Sequence, residues 1–391
     1  MMRGRFGFLV GIVGLALCLS PTGAGAGYTT AVVMVGLDNP RGLAWGPDGS
    51  LYVAEAGRGG DGPSIVSGDG QTVSYGATGA LSRLRNGVQE RVVTGLPSLA
   101  AAGGGNASGL QDIAFSSSGE LYGVIGLGAD PASRAQLGAV GDEFGRLVRL
   151  PLDGAPVAGL ANLADYEASQ NPDGGAVDSN PFGLAAAPGG GFLVTDAGAN
   201  AVLSVTDQGV VTTLAVLPPR PNPLPFGPPV YQSVPTGIAV GPDQSIYFGE
   251  LTGFPFPPGA ANIYRIDPMT GQPIVAFDGF TNLMDLAFGP DGALYALQLT
   301  TNGLASSTGP GSGILSRIDL LTGERTVIVG DGLGFPTAIA FGPDGAIYVT
   351  TQGASAGEGQ VLRISAVPEP STLVLLGLGL AGLVGCSRRG R

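Results

Sequence analysis

One phrase recurs along the chain, and its recurrence restricts the fold more than any other feature. In its fullest form it runs Pro40-Arg41-Gly42-Leu43-Ala44-Trp45-Gly46-Pro47-Asp48-Gly49-Ser50-Leu51-Tyr52. It returns at 237–247, 285–295 and 338–348, each time around Gly-Pro-Asp, and in looser form at 112–122 and 183–193. Each copy reads as a β-hairpin: a short apolar strand, a tight turn and a second strand. Pro sets φ for the first central position of a turn, and Asp followed by Gly accepts the left-handed geometry beyond it. Gly 70 and Pro 31 in 391 residues would ordinarily signal disorder. Here those residues punctuate Val-, Ile-, Leu-, Tyr- and Phe-rich runs, the pattern of many strands joined by tight turns.

A third strand is predicted after each hairpin, at 80–84, 146–150, 201–205, 262–266, 314–318 and 360–364. A fourth follows in five of the six copies, as at 91–94 and 325–329. Four strands per repeat make a propeller blade, so six copies predict an all-β, six-bladed β-propeller with four-stranded blades. The sixth copy has no fourth strand of its own. Thr30-Ala31-Val32-Val33-Met34-Val35 is left unclaimed and is expected to close the ring, which would leave only short, protected edges. The spacing between successive anchors Tyr52, Tyr122, Leu193, Tyr247, Tyr295 and Tyr348 is 70, 71, 54, 48 and 53 residues, so the variation falls in loops.

The two ends read differently. Residues 1–26 have the form of a secretory signal peptide: Arg3 and Arg5, an apolar stretch over 6–19, and Ala24-Gly25-Ala26 as a cleavage site. At the other end Val367-Pro368-Glu369-Pro370-Ser371 precedes an apolar run over 372–386 and then Arg388, Arg389 and Arg391. This arrangement resembles the PEP-CTERM sorting signal, with Pro368, Glu369 and Pro370 as its motif. The resemblance implies an exosortase as processing partner, and export to the cell surface or extracellular space of a bacterium. The apolar run would enter the bilayer as a short transmembrane segment, with the arginines holding its end on the cytoplasmic side. An uncut C-terminal anchor is the alternative. The expected organisation is therefore a signal peptide over 1–26, a propeller over 27–366 and a sorting signal over 367–391.

The expected mature core contains neither Cys, since these are Cys18 and Cys386, so disulfides and thiol chemistry are excluded from it. Without the terminal segments 13 arginines face 29 acids, a net charge of about −16. Such a surface repels nucleic acid and anionic lipid, so no nucleic-acid partner is expected, and membrane contact only through the tail. A monomer is expected. The chain has no His, and all 18 of its basic residues are Arg. That excludes a Ser-His-Asp triad, His-ligated metal and Schiff-base chemistry. Carboxylates, Tyr and a metal are what remain for catalysis.

The repeat resembles the NHL type of propeller repeat, and residues 36–60 resemble the ScyD/ScyE family, named for pigment (scytonemin) gene clusters. The resemblance implies that the first strand of each blade lines a central channel and that loops at its leading end form the binding face. Carried onto this sequence, the leading positions include Arg41 and Gln111, with Asp112 and Asp285 beside them. The positions three after each anchor include Glu55, Asp196, Glu250 and Gln298. Glu55, Asp196 and Glu250 could hold calcium, since hard cations take carboxylate oxygens. They could equally bond to neighbouring backbone amides, and Arg41 could pair with Glu55. The long insertions fall on the same face, among them 57–79, 126–145 and the proline-rich 218–235, which reads as a lid or a rigid linker. The expected function is a non-catalytic binding or scaffold protein among extracellular polysaccharide or envelope components. One alternative is a calcium-dependent lactonase or esterase resembling the gluconolactonase group. Another is an accessory role in pigment biosynthesis.

Overall fold

The recurring turn carries two loads at once. In its first copy Gly49 takes φ 73°, and the Asp48 carboxylate accepts from the Ser50 amide and hydroxyl at 3.1 and 2.7 Å. Gly46, at the start of the turn, has Tyr52 folded over it: a Cβ there would lie 2.7 Å from the ring. The freed ring packs edge-on against Phe115 of the next blade, 5.5 Å between centroids. Tyr247–Phe288 (5.6 Å), Tyr295–Phe341 (4.8 Å) and Tyr348–Trp45 (5.2 Å) repeat the contact. The last of these joins the sixth blade to the first. Tyr122 meets Phe192 instead, at 4.6 Å, and where Leu193 replaces the tyrosine an aliphatic cluster with Ile238 and Val240 takes over.

These contacts hold together six four-stranded antiparallel blades in a computed structural model that describes residues 27–367. The inner strands are Pro40–Trp45, Leu110–Phe115, Pro181–Ala186, Pro235–Val240, Leu283–Phe288 and Ile339–Phe341. Second strands follow each turn and third strands each second strand, in the predicted order. The sixth blade takes its outermost strand from Tyr28–Leu37, the predicted closing strand, which lies beside Gly359–Ala366. Met34 and Leu37 of that strand are fully buried among Leu43, Leu51 and Val53 of the first blade and Ala338, Tyr348 and Val361 of the sixth. The proposed signal peptide, the apolar C-terminal run and Pro368, Glu369 and Pro370 lie outside the described residues. Among the described residues no helix is long and apolar enough to cross a membrane.

Three insertions carry more structure than their sequence suggests. The first grows out of a blade: Thr72–Arg85 begins eight residues before the predicted third strand, and pairs with Ser64–Val66 on one side and Val88–Ala100 on the other. Thr72-Val73-Ser74-Tyr75 alternates in the strand manner and buries Val73 beside Ile65. The second insertion contains a 3-10 helix, Pro131–Glu143. Between the second and third blades an α-helix, Leu163–Gln170, starts at Asn162, whose side chain accepts from the Asp165 amide at 3.1 Å. The buried guanidinium of Arg134 ties the two helices by pairing with Asp165.

A variant lacking Tyr28–Leu37 leaves the sixth blade open and removes both buried side chains. It is expected to lose the cooperative thermal transition of the intact protein, or to associate through the exposed edge, as read by circular dichroism and size-exclusion chromatography. A monomer with an unchanged melting curve would contradict this closure.

Candidate functional site

The inner strands and their leading ends bring Arg41, Gln111, Asp112, Met284 and Asp285 to the wall of the central channel, with Phe182 and Thr337 from the third and sixth blades. They leave a cavity of only about 10 Å³, about the space one water needs. The polar groups there are committed to holding blades together. Arg41 donates to Ala107 O at the boundary with the second blade (3.1 Å) and to Gly353 O in the sixth (2.7 Å). It does not pair with Glu55 as its sequence position allowed, and burial lowers its pKa to about 10. Asp112 accepts from the Leu184 amide of the third blade at 2.7 Å, and Asp285 from the Ile339 amide of the sixth at 2.9 Å. Thr195 bonds to Thr236 O, Thr236 to Leu283 O at 2.9 Å and Thr337 to Pro40 O at 2.7 Å. Each of the six boundaries thus has at least one side chain bonded to the backbone across it.

The other predicted positions stand at the loop-face ends of second strands, because the register sets Glu55, Asp196, Glu250 and Gln298 opposite Pro40, Pro181, Pro235 and Leu283. Each is used within its own blade. Glu55 accepts from the Asp38 amide (2.7 Å), the Ser82 hydroxyl (2.6 Å) and the Arg91 guanidinium (2.6 and 2.9 Å). Asp196 accepts from the amides of Asn180, Gly198 and Ala199 and the Ser179 hydroxyl. Glu250 takes the Asn262 amide at 2.8 Å and pairs with Arg220, and Gln298 takes the Thr281 amide at 2.7 Å. Among the described residues no three His, Cys, Asp or Glu side chains gather closely enough to hold a metal ion. Glu55, Asp196 and Glu250 therefore do not form the joint calcium site considered from the sequence. Donors, not space for a cation, face their oxygens.

The proline-rich insertion is pinned rather than free. Arg220–Pro221 and Val230–Tyr231 form a short ladder, and Arg220 reaches Glu250 while lying 5.0 Å from the centre of the Tyr231 ring. Phe226 at its tip meets Phe254, 6.3 Å between centroids, and both rings stay about half exposed.

A cleft of about 480 Å³ opens over the loops of the first four blades, a size suited to a small organic ligand. Ser67, Asp69 and Gln71 come from the first insertion, Asn106 and Ser108 from the loop before the second blade, and Asp178 and Asn180 from the loop before the third. Sequence reasoning did not select any of these. One signal was available: Asn180 precedes its blade's Pro181 as Asn39 precedes Pro40. The Asn180 amide donates to Asp196 at 2.6 Å, leaving its side-chain oxygen without a partner. One Asp178 oxygen is also buried without a partner, and burial together with the Asp196 charge pushes that carboxyl up to about 6.

The fold is that of a six-bladed β-propeller of the kind seen in several enzymes. An oxidoreductase described as a glucose dehydrogenase from Thermus thermophilus is 20% identical over 87% of this chain and all of that one, with a TM-score of 0.52. A gluconolactonase from Xanthomonas campestris is 12% identical, covering 86% of this chain and 89% of its own, with a TM-score of 0.50. A luciferin-regenerating enzyme is also 12% identical, over 88% and 96%, with a TM-score of 0.50. At these identities the likeness concerns the fold. Residues 366–389 match the PEP-CTERM protein-sorting motif, which implies export, exosortase processing and surface sorting in bacteria. A sequence comparison with curated proteins finds no match.

The channel wall yields two expectations. A Cβ on Gly42 would fall 1.9 Å from Asp112 Oδ1 and 2.7 Å from its Cα. Gly42→Ala should therefore cost about 1–3 kcal/mol, measurable by urea unfolding; a neutral result would mean the boundary is loosely packed. Burial also pushes Asp285 and Glu250 up to about 7 and raises Asp112 and Asp196. Between pH 4 and 7 the folded state keeps protons that the unfolded chain has released, so stability falls as pH rises through that window. The turn aspartates Asp48, Asp243, Asp291 and Asp344 are shifted down, so their contribution is lost only in more acidic solution. The melting temperature should be higher at pH 5 than at pH 8, with a smaller difference in Asp285→Asn. A higher value at pH 8 would contradict the raised carboxyls.

Proposed function

We propose that the chain is an exported, surface-sorted β-propeller that binds a neutral, hydroxyl-rich polymer of the extracellular matrix or envelope without transforming it. The cleft over the first four blades carries this reading. Its polar lining is amides, hydroxyls and two aspartates, with no Arg, set among apolar residues and glycines such as Val73, Leu127, Val234 and Leu251, and such amides and hydroxyls exchange hydrogen bonds with sugar hydroxyls. On the same loop face, the exposed Phe226 and Phe254 of the loops around the fourth blade offer flat faces for the apolar side of such a ligand. The absence of His and Lys from the chain favours binding over chemistry. The saturated carboxylates Glu55, Asp196 and Glu250 favour it over the calcium-dependent hydrolase.

In this reading the propeller spans 27–366, acts as a monomer and is released or retained by exosortase processing at 367–391. The ScyD/ScyE resemblance of 36–60 belongs to the proposal as a kinship of fold, with no pigment substrate implied.

The test is calorimetric titration of the purified protein with neutral extracellular polysaccharides, alongside Asn180→Ala and Asn106→Ala. Binding is expected, weakened at least tenfold by losing about 1.5 kcal/mol of hydrogen bonding in each variant. Binding unaffected by both variants would move the site elsewhere. Turnover of lactones or esters by the same preparation would overturn the non-catalytic reading.

A further inference from the structure

The face opposite the loops carries its own pattern. Inner and third strands run the same way through each blade, so the turns joining third to fourth strands share this face with the Gly-Pro-Asp turns. In the first five blades each of these outer turns presents an exposed apolar side chain: Val88, Leu152, Val210, Met269 and Leu321. The register sets them there, with Val88 opposite Arg85, Val211 opposite Val205, Pro273 opposite Ile266 and Arg325 opposite Ile318. Met269 and Leu321 are 92% and 97% exposed. Each sits in a turn fixed by an aspartate, its amide donating to Asp267 at 2.8 Å and to Asp319 at 2.9 Å.

The sixth blade has no such turn. Its third strand, Gly359–Ala366, pairs Ile364 with Ile347 at the turn-face end, and the chain then continues into the sorting motif over 366–389. Five residues, 367–371, precede the apolar run over 372–386, and fully extended they span at most about 17 Å. A bilayer that receives the run is thus held close to the turn face. Single exposed apolar residues are ordinary on a protein surface. Here they occupy equivalent turns around one rim, and the anchoring segment leaves from the place of the sixth. A short tether makes further contact intramolecular, so side chains too few to hold a free protein on lipid suffice. Asp267 and Asp319 in the same turns disfavour anionic headgroups, so the matching surface is lipid without net charge.

We infer that the tail-bearing protein rests its turn face on a zwitterionic lipid surface, Met269 and Leu321 entering the headgroup layer and the loop face turned away from the membrane. The tail is then not the sole contact with the bilayer. This orientation rests on the apolar run entering the membrane, and it stands whether or not the cleft binds a polymer.

The experiment places residues 27–391, with Cys386→Ser, in phosphatidylcholine nanodiscs with and without nitroxide-labelled lipid, and reads a dye on one introduced cysteine. Dyes at Met269→Cys and Leu321→Cys are expected to lose fluorescence to the labelled lipid, while a dye at Phe226→Cys on the loop face keeps it. A dye at Val88→Cys should also be quenched, and Met269→Asp with Leu321→Asp should abolish that loss, which separates apolar contact from mere tethering. Equal quenching on both faces, or quenching at 88 that survives the double substitution, would overturn the contact. No quenching on the turn face of an inserted protein would overturn it too, and would leave the rim to a protein partner. A chain that does not enter the disc would sink the reading of the tail and this orientation with it.

Discussion

Everything in this molecule depends on closing a ring of six blades with a strand from the far end of the chain. A blade alone is a small twisted sheet with two open edges, and it buries its faces only against its neighbours. The Tyr348–Trp45 contact and the insertion of Met34 and Leu37 between the sixth and first blades complete the circuit. Once it is complete, each boundary repeats the same pair of devices: packed rings or aliphatic chains midway along the blade, and a side chain bonded to the neighbouring backbone at the channel. With no Cys in the described residues, closure has to come from packing and hydrogen bonds.

That requirement decides what the polar groups near the axis can do. Arg41, Asp112 and Asp285 occupy positions where a propeller enzyme could present reactive groups, yet each is spent on a boundary, and the space between them holds about one water. Glu55, Asp196 and Glu250 are spent on the loops that feed the inner strands. On the proposed reading, recognition is displaced outward, onto the loop face. Ser67 and Asn106 lie on insertions, and Asn180 stands where the inner strand of the third blade begins.

The repeated part of this architecture was legible in the sequence, down to the closing strand, because each copy of the phrase carries its own turn chemistry and anchor residue. Even the alternative role of the acids, bonding to nearby amides, could be weighed from their place after the anchor. Their partners could not. Arg91 meets Glu55 from 36 residues away and Arg220 meets Glu250 from 30, and neither distance is marked by the repeat. The helix Leu163–Gln170 went unread although Asn162 and Asp165 provide a cap, since eight residues within a strand-rich chain give little periodicity to detect. The cleft shares that limit in part: Ser67, Asp69, Gln71, Asn106 and Ser108 come from insertions with no counterpart in other blades, whereas Asn180, placed before Pro181 as Asn39 is before Pro40, has one.

The central claim is that recognition belongs to the loop face and not to the channel. Amide hydrogen exchange of the purified protein, with and without a bound extracellular polysaccharide, tests it most directly. The account predicts new protection confined to 67–71, 106–108 and 178–180, with the inner strands and the Gly-Pro-Asp-Gly turns unchanged. Protection concentrated in the inner strands around Arg41, Asp112 and Asp285, or on the opposite turns, would contradict it.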